Sequence, residues 1–170
     1  GYDMEQKNLI LGFDFGEKYS QFCCYDRGTH TALSIPVKEG EEAVEFPTAI
    51  AKKWNEETWK TGPDAEEFAR VENGIWLDHL YEICMGSRIC QIENRDYTPG
   101  EVLGTFLREA LKMIGIKRPD QQIQAMMITT GRLTRPFVEN VREAYKMIGL
   151  PRGRAYLQEH DESFYCHVLN

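Results

Sequence analysis

Residues 9–26 read LILGFDFGEKYSQFCCYD, and the fold turns on how they are read. The apolar run Leu9, Ile10, Leu11 leads into Gly12, Phe13, Asp14, Phe15 and Gly16. Polar Glu17 and Lys18 follow, and residues 19–25 resume as a second strand-like run. This pattern predicts two antiparallel strands joined by a tight turn, with an acid just before the turn. Small residues there let a ligand come close to the main chain. Consecutive N–H groups in such a turn form a concavity for an anion. Asp14 is placed to face a hydrated metal ion bound to that anion. The physical reading is a hairpin that grips phosphate and magnesium. The plain alternative is an ordinary hairpin with a solvated Asp14 and a local Glu17–Lys18 pair.

Bulk properties narrow the function classes. The chain has 170 residues, 42% of them hydrophobic, which suffices for one domain with its own core. Its net charge of −7 carries no basic block, and this argues against nucleic acid as the main partner. Acidity does not exclude ATP, which local N–H groups and a metal hold. The five cysteines are odd in number, and none has C-x-x-C spacing. Buried reduced thiols and a cytoplasmic setting are expected, with no disulfide framework and no zinc site. No apolar run approaches a membrane span, and residues 1–8 read as a loose polar leader.

Further along, residues 29–37 read as a third strand, so the chain opens as a meander. Residues 45–51 form a strand entered through Pro47, and 59–62 a short return strand. A short helix follows over 63–70, with Glu66 and Glu67 in its first turn. Residues 74–86 are helical or mixed, and 88–96 a short strand or extended loop. Thr98, Pro99 and Glu101 carry a helix-start signal: an N-cap, a first-turn proline and a capping-box acid. Val102, Leu103, Phe106, Leu107, Ala110, Leu111 and Ile114 then recur at helical spacing up to Gly115. Residues 123–130 are an apolar strand, expected in the sheet interior and covered on both faces. An amphipathic helix runs over 137–148, a strand over 154–158, and a further helix begins over 162–168.

Several of these stretches share an ordered resemblance. Gly12-Phe13-Asp14-Phe15-Gly16-Glu17-Lys18-Tyr19-Ser20 resembles the first phosphate hairpin of the actin, heat-shock chaperone and sugar-kinase superfamily. Its pattern is closest to Gly-Ile-Asp-Leu-Gly-Thr-Thr-Tyr-Ser of the DnaK-type chaperones. Phe46-Pro47-Thr48 and Thr61-Gly62-Pro63-Asp64-Ala65 follow in the family's order, and the helix opened by Thr98 resembles its Thr-Pro-Glu-Glu helix. Met126 to Gly131, Ile148-Gly149-Leu150 and Glu159-His160 then stand where the family has a core strand, a helix end and an Asn-Glu-Pro junction.

The resemblance implies an α/β, ribonuclease-H-like (actin-like ATPase) lobe over residues 9–170. Its five-stranded mixed sheet has flanking helices and a small α+β subdomain inserted over about 36–96. It also implies that ATP or ADP is the ligand and that a second lobe, absent from this sequence, closes over it; the chain is then the first lobe of a longer protein. Asp14 holds magnesium through water, and Gly12, Gly16, Glu17, Lys18 and Tyr19 form the cofactor-binding turn. Glu159 orients the attacking water. Tyr19 and Ser20 favour the chaperone branch over the sugar kinases. The resemblance names no client. Two positions depart from the pattern. Glu17 stands where the chaperones have threonine, and no lysine lies between Lys60 and Lys112 to match the family's catalytic lysine, although His79 is a candidate cation. A degenerate scaffold of the same fold, or a small-molecule kinase, is the alternative function.

Overall fold

A computed structural model describes residues 9–26 and 28–160, and the main chain of 167–168. The leader proposed for 1–8 lies outside the described residues.

The first two strands, β1 (Leu9–Phe15) and β2 (Tyr19–Asp26), form the expected antiparallel hairpin. In β1 burial alternates: Leu9, Leu11, Phe13 and Phe15 are buried, and Ile10, Gly12 and Asp14 half-buried. A period of two is what a strand with one core face requires. Strand β3 (Thr31–Ser34) completes the meander but is shorter than the predicted 29–37. It stops ahead of Pro36, which has no N–H to continue a ladder. Strand β4 (Glu45–Pro47) pairs with the other half of β2, so β3 and β4 share one edge.

Between β4 and the first long helix lie β5 (Ile50–Lys52), β6 (Trp59–Lys60), α1 (Ala65–Val71), β7 (Ile75–Leu77), α2 (Leu80–Met85), β8 (Cys90–Ile92) and β9 (Arg95–Tyr97). Strands β5, β6 and β7 make a second sheet, and β8 and β9 a hairpin. Residues 74–86 are thus mixed strand and helix, and 88–96 is a two-stranded hairpin where a single strand or loop was expected. Buried Lys52 spans the two units, with its ammonium 2.5 Å from Glu93 Oε1 at the hairpin tip.

Helix α3 (Pro99–Met113) begins with the predicted box: Thr98 Oγ1 accepts from the Glu101 N–H, and the Glu101 carboxylate accepts from the Thr98 N–H. After the short α4 (Pro119–Gln122), β10 (Ile123–Thr130) runs parallel to β1. Helix α5 (Arg135–Met147) returns to β11 (Ala155–Glu159), parallel to β10. Thr134 caps α5, whose start therefore precedes the predicted residue 137.

The main sheet has the order β12-β11-β10-β1-β2-β3, with β4 added on β2. Among the described residues it holds seven strands where five were expected. The extra pair are β4 and β12 (His167–Val168), which lies antiparallel to β11. That pairing corrects the helix expected over 162–168: residues 167–168 are strand, and 161–166 lie outside the described residues. Strand β10 is interior, but Gln124, Ala125, Met127 and Thr129 stay half-buried, so coverage of both faces is not observed. No helix among the described residues is long and apolar enough to cross a membrane.

The core is an aromatic layer between sheet and helices. Phe13 lies 4.7 Å from Phe22 and 6.0 Å from Phe106 between ring centres, and Phe15 lies 5.6 Å from Phe137. All five rings are fully buried, and truncating any one of them to alanine costs about 3–5 kcal/mol.

The second sheet is fastened to strand β9 of the β8–β9 hairpin by Glu57. Its carboxylate accepts from Tyr97 Oη at 2.8 Å, Arg95 Nη1 at 3.0 Å and Trp59 Nε1 at 3.1 Å. Burial works to raise the Glu57 carboxyl, but the Tyr97 and Trp59 hydrogen bonds and the Arg95 and Lys52 charges outweigh it and hold it below the usual range. Burial first, then the bond to Glu57, pushes the Tyr97 hydroxyl up to about 12 from 10.0. A raised folded value means stability that is complete below the ordinary tyrosine value and lost as pH climbs from about 10 towards 12. Urea unfolding across that window is expected to weaken less steeply in Tyr97→Phe than in the wild type; parallel profiles would contradict this account.

Candidate functional site

Strands β1, β10 and β11 are parallel, so their carboxyl ends reach one edge of the sheet together. In open α/β sheets that edge is where ligands bind. Two rows of residues end there. Phe15, Thr130 and Glu159 form one row, and Asp14, Thr129 and Gln158 form the other. Successive residues of a strand point to opposite faces. Phe15 and Thr130 are buried on the helix-bearing side, so Glu159 shares that side. Asp14 points to the opposite, half-exposed face.

The turn after Asp14 is bent out of the ladder over residues 16–18. Gly16 is required there, since a Cβ would sit 2.3 Å from the Tyr19 carbonyl oxygen. The turn's carbonyls are tied to Thr48. Its hydroxyl donates to the Gly16 carbonyl at 2.7 Å, and its N–H donates to the Lys18 carbonyl at 2.9 Å. The buried Ser20 hydroxyl, 2.7 Å away, completes the chain by donating to Thr48 Oγ1. The Gly16 and Lys18 carbonyls are thus engaged, while the N–H groups of Glu17 and Lys18 find no acceptor among the described residues. Nor does an ion pair join Glu17 to Lys18 there, so the local-pair alternative is not what forms. Tyr19 is exposed and opens β2 opposite Pro47. Gly12 lies away from the turn and makes room for Cys23, whose sulfur would be 2.6 Å from a Cβ.

The structure brings Asp14 together with a residue that the sequence marked only as a substitution. His160 Nε2 lies 2.6 Å from Asp14 Oδ1, and Thr129 Oγ1 makes a long 3.5 Å contact to the same oxygen. The His160 N–H donates to the Thr130 carbonyl at 2.8 Å, extending the β10–β11 ladder by one bond. A proline at 160 could not make that bond. Having Glu159 on one face places His160 on the other, where Asp14 is. The sequence signal was the run Glu159-His160-Asp161 directly after a predicted strand.

Beside the turn, on the helix-bearing side, is an open cleft of about 560 Å³. Glu17, Tyr81, Glu82, Gly86, Gly131 and Arg132 are among the residues that line it. Its wall, α2, is fixed from two sides. Tyr81 stacks on Phe15 at 5.4 Å, and Asn140 of α5 donates to the Cys84 and Gly86 carbonyls at 2.8 and 2.9 Å. Thr134 Oγ1 donates to the Met85 carbonyl at 2.8 Å. The carbonyls at the end of α2 are thereby satisfied, as a buried helix end requires. Arg132 has no ion-pair partner among the described residues and is the cation of this cleft. His79 lies at the α2 N-terminus, exposed, near its neighbour Asp78 at 3.7 Å, and does not line the cleft. Lys52 is committed to Glu93.

The arrangement suits a phosphate with a hydrated cation. Two adjacent main-chain amides without acceptors offer an anion site. Asp14 Oδ2 is available to water beside it. No group of three or more His, Cys, Asp or Glu that could cage a metal directly occurs among the described residues, so a cation would be held largely through its water shell and the ligand. Gly16→Ala should displace the turn from Thr48 and lower stability by about 1–3 kcal/mol. Unfolding in urea checks this, and an unchanged midpoint would show that the close approach to Tyr19 is not a constraint.

The search of curated proteins finds no match. A family model described as "Family of unknown function (DUF5716) C-terminal" matches residues 31–170. The matched span takes in Thr129, Glu159 and His160 but begins after the hairpin that carries Asp14. On that match, which covers most of its length, the chain belongs to the DUF5716 C-terminal family.

Proposed function

We propose that the chain is a nucleotide-binding lobe of the ribonuclease-H-like, actin-like kind, which takes Mg-ATP or Mg-ADP at the bend after β1. The carrying observation is the state of that bend: Thr48 engages the Gly16 and Lys18 carbonyls, and the Glu17 and Lys18 amides are left open after Asp14. The strand order supports the same reading. Three antiparallel strands followed by two parallel additions, with α3 and α5 as the connections, match what the resemblance implies. Parallel additions need crossovers of this kind.

In this reading the Gly16–Lys18 main chain holds the terminal phosphates, and the Lys18 ammonium adds a point charge. Asp14 Oδ2 accepts from water on the magnesium ion. The second lobe of the superfamily supplies the rest of the nucleotide pocket, and the lobe pair works as a chaperone-like switch with slow hydrolysis. One observation favours a second reading, a scaffold that has lost its nucleotide: Glu17 and Glu82 both line the cleft, against Arg132 alone. These acids repel a bare phosphate, so magnesium must accompany the ligand.

Calorimetric titration of Mg-ATP into the complete protein separates the two. The nucleotide reading predicts saturable heat that requires magnesium. Asp14→Ala should weaken it at least about tenfold, on the order of 1.4 kcal/mol. Absence of heat in both proteins would establish the scaffold.

A further inference from the structure

Arg142 Nε is buried without a hydrogen-bond partner, the one such side-chain nitrogen or oxygen among the described residues. Buried polar groups are rarely left so, and a bound ion is one explanation for an orphan. Arg142 also lines an open cavity of about 750 Å³ beside α5 and the loop that leads into β11. We propose that this cavity binds a small organic phosphate, a monoester whose phosphoryl group is held by Arg142, Lys146 and Arg152.

The site is separate from the bend after β1. Ala155, at the amino end of β11, lines the cavity, whereas the bend lies at the carboxyl ends of the parallel strands. The inference therefore stands without the nucleotide reading.

Charge carries the assignment. Arg142, Lys146 and Arg152 line the cavity together with two acids, Glu139 and Glu143. Both acids are engaged. Glu139 Oε1 accepts from Arg142 Nη1 at 2.7 Å. Glu143 Oε1 accepts from Thr98 Oγ1 at 2.5 Å, and its other oxygen is packed onto Gly100, where a Cβ would lie 2.7 Å away. Lys146 and Arg152 have no ion-pair partner among the described residues. Arg142 and Lys146 stand four apart on one helix, where like charges are neighbours and repel. Arg152 adds a third cation from the loop, in a chain whose net charge is −7. The end of α5 does not need these cations to cover its carbonyls. Those of Lys146 and Tyr145 accept from the Gly149 and Leu150 N–H groups, each at 3.1 Å.

A phosphoryl dianion supplies what the three cations lack. It relieves the repulsion between Arg142 and Lys146, pairs Arg152, and offers acceptors to the Arg142 guanidinium as that group turns from Glu139. The cavity has the size of a small-molecule site and is larger than a phosphate ion fills. Leu150, Pro151 and Ala155 give its wall an apolar part, which suits a compact apolar body on the phosphate.

Phenyl phosphate is the probe, titrated into this chain without magnesium and followed by amide NMR. Saturable shifts centred on Arg142, Lys146, Gly149 and Arg152 are expected, and phenol should produce none. Lys146→Ala and Arg152→Ala, both at exposed positions, should each weaken binding about fivefold or more while the rest of the spectrum keeps the wild-type pattern. Arg142→Lys keeps the charge but loses the fork, and should also weaken binding. Inorganic phosphate should bind more weakly than phenyl phosphate. No shifts up to about 10 mM probe, shifts centred elsewhere, or variants that bind as the wild type does would overturn the assignment. Inorganic phosphate binding as tightly as the ester would overturn the organic ligand. The bend requires magnesium and this cavity does not, so the two readings fail separately.

Discussion

Phe13 and Phe15 are locked into the aromatic layer under α3 and α5, and that burial decides where Asp14 points. A strand offers its residues to two faces in turn, so burying 11, 13 and 15 turns 10, 12 and 14 away from the core. A slip of one residue would bring three large side chains out of the core, at about 1.5–3 kcal/mol each. It would also carry the only acid of β1 into the core, where an unpaired charge is far costlier. Register and site are therefore one constraint. The parallel partner β10 inherits it: Thr129 stands beside Asp14, and Thr130, fully buried, donates to the Phe15 carbonyl at 3.1 Å.

The rim of the sheet is built by satisfying carbonyls and leaving amides open. Thr48, the first residue after β4, engages the Gly16 and Lys18 oxygens, while Asn140 and Thr134 engage those at the end of α2. The amides of Glu17 and Lys18, on exposed residues, are left without a protein acceptor among the described residues. The same rim gathers Asp14 and His160 on one face and the Arg132 cleft on the other, with Gly131 between them.

Much of this was legible in the residues. The meander, both long helices, the Thr98 capping box and the bounds of β10 follow from alternation, capping and helical spacing, all of which are local. The misses have non-local causes. Met126, Met127 and Ile128 read as a strand covered twice, yet Met127 faces the half-exposed side, since an apolar residue need not be buried. Residues 88–96 fold as a hairpin because Glu93, at a φ of +58°, is held at its tip by Lys52, from 41 residues upstream. The site was half legible. Asp14 and the turn stand in one stretch, whereas His160 reaches Asp14 across 146 residues of sequence. Only the β1–β10–β11 register shows that residue 160, and not 159, arrives on the acid's face.

The central claim is that the open amides of the Gly16–Lys18 bend grip phosphate at the carboxyl ends of three parallel strands. Amide NMR of this chain, titrated with magnesium diphosphate, tests it most directly, since even weak binding moves the resonances of the amides involved. The account predicts saturable shifts centred on Glu17, Lys18, Gly131 and His160, all lost when magnesium is chelated. Shifts centred elsewhere, or none at the bend as diphosphate rises, would contradict it.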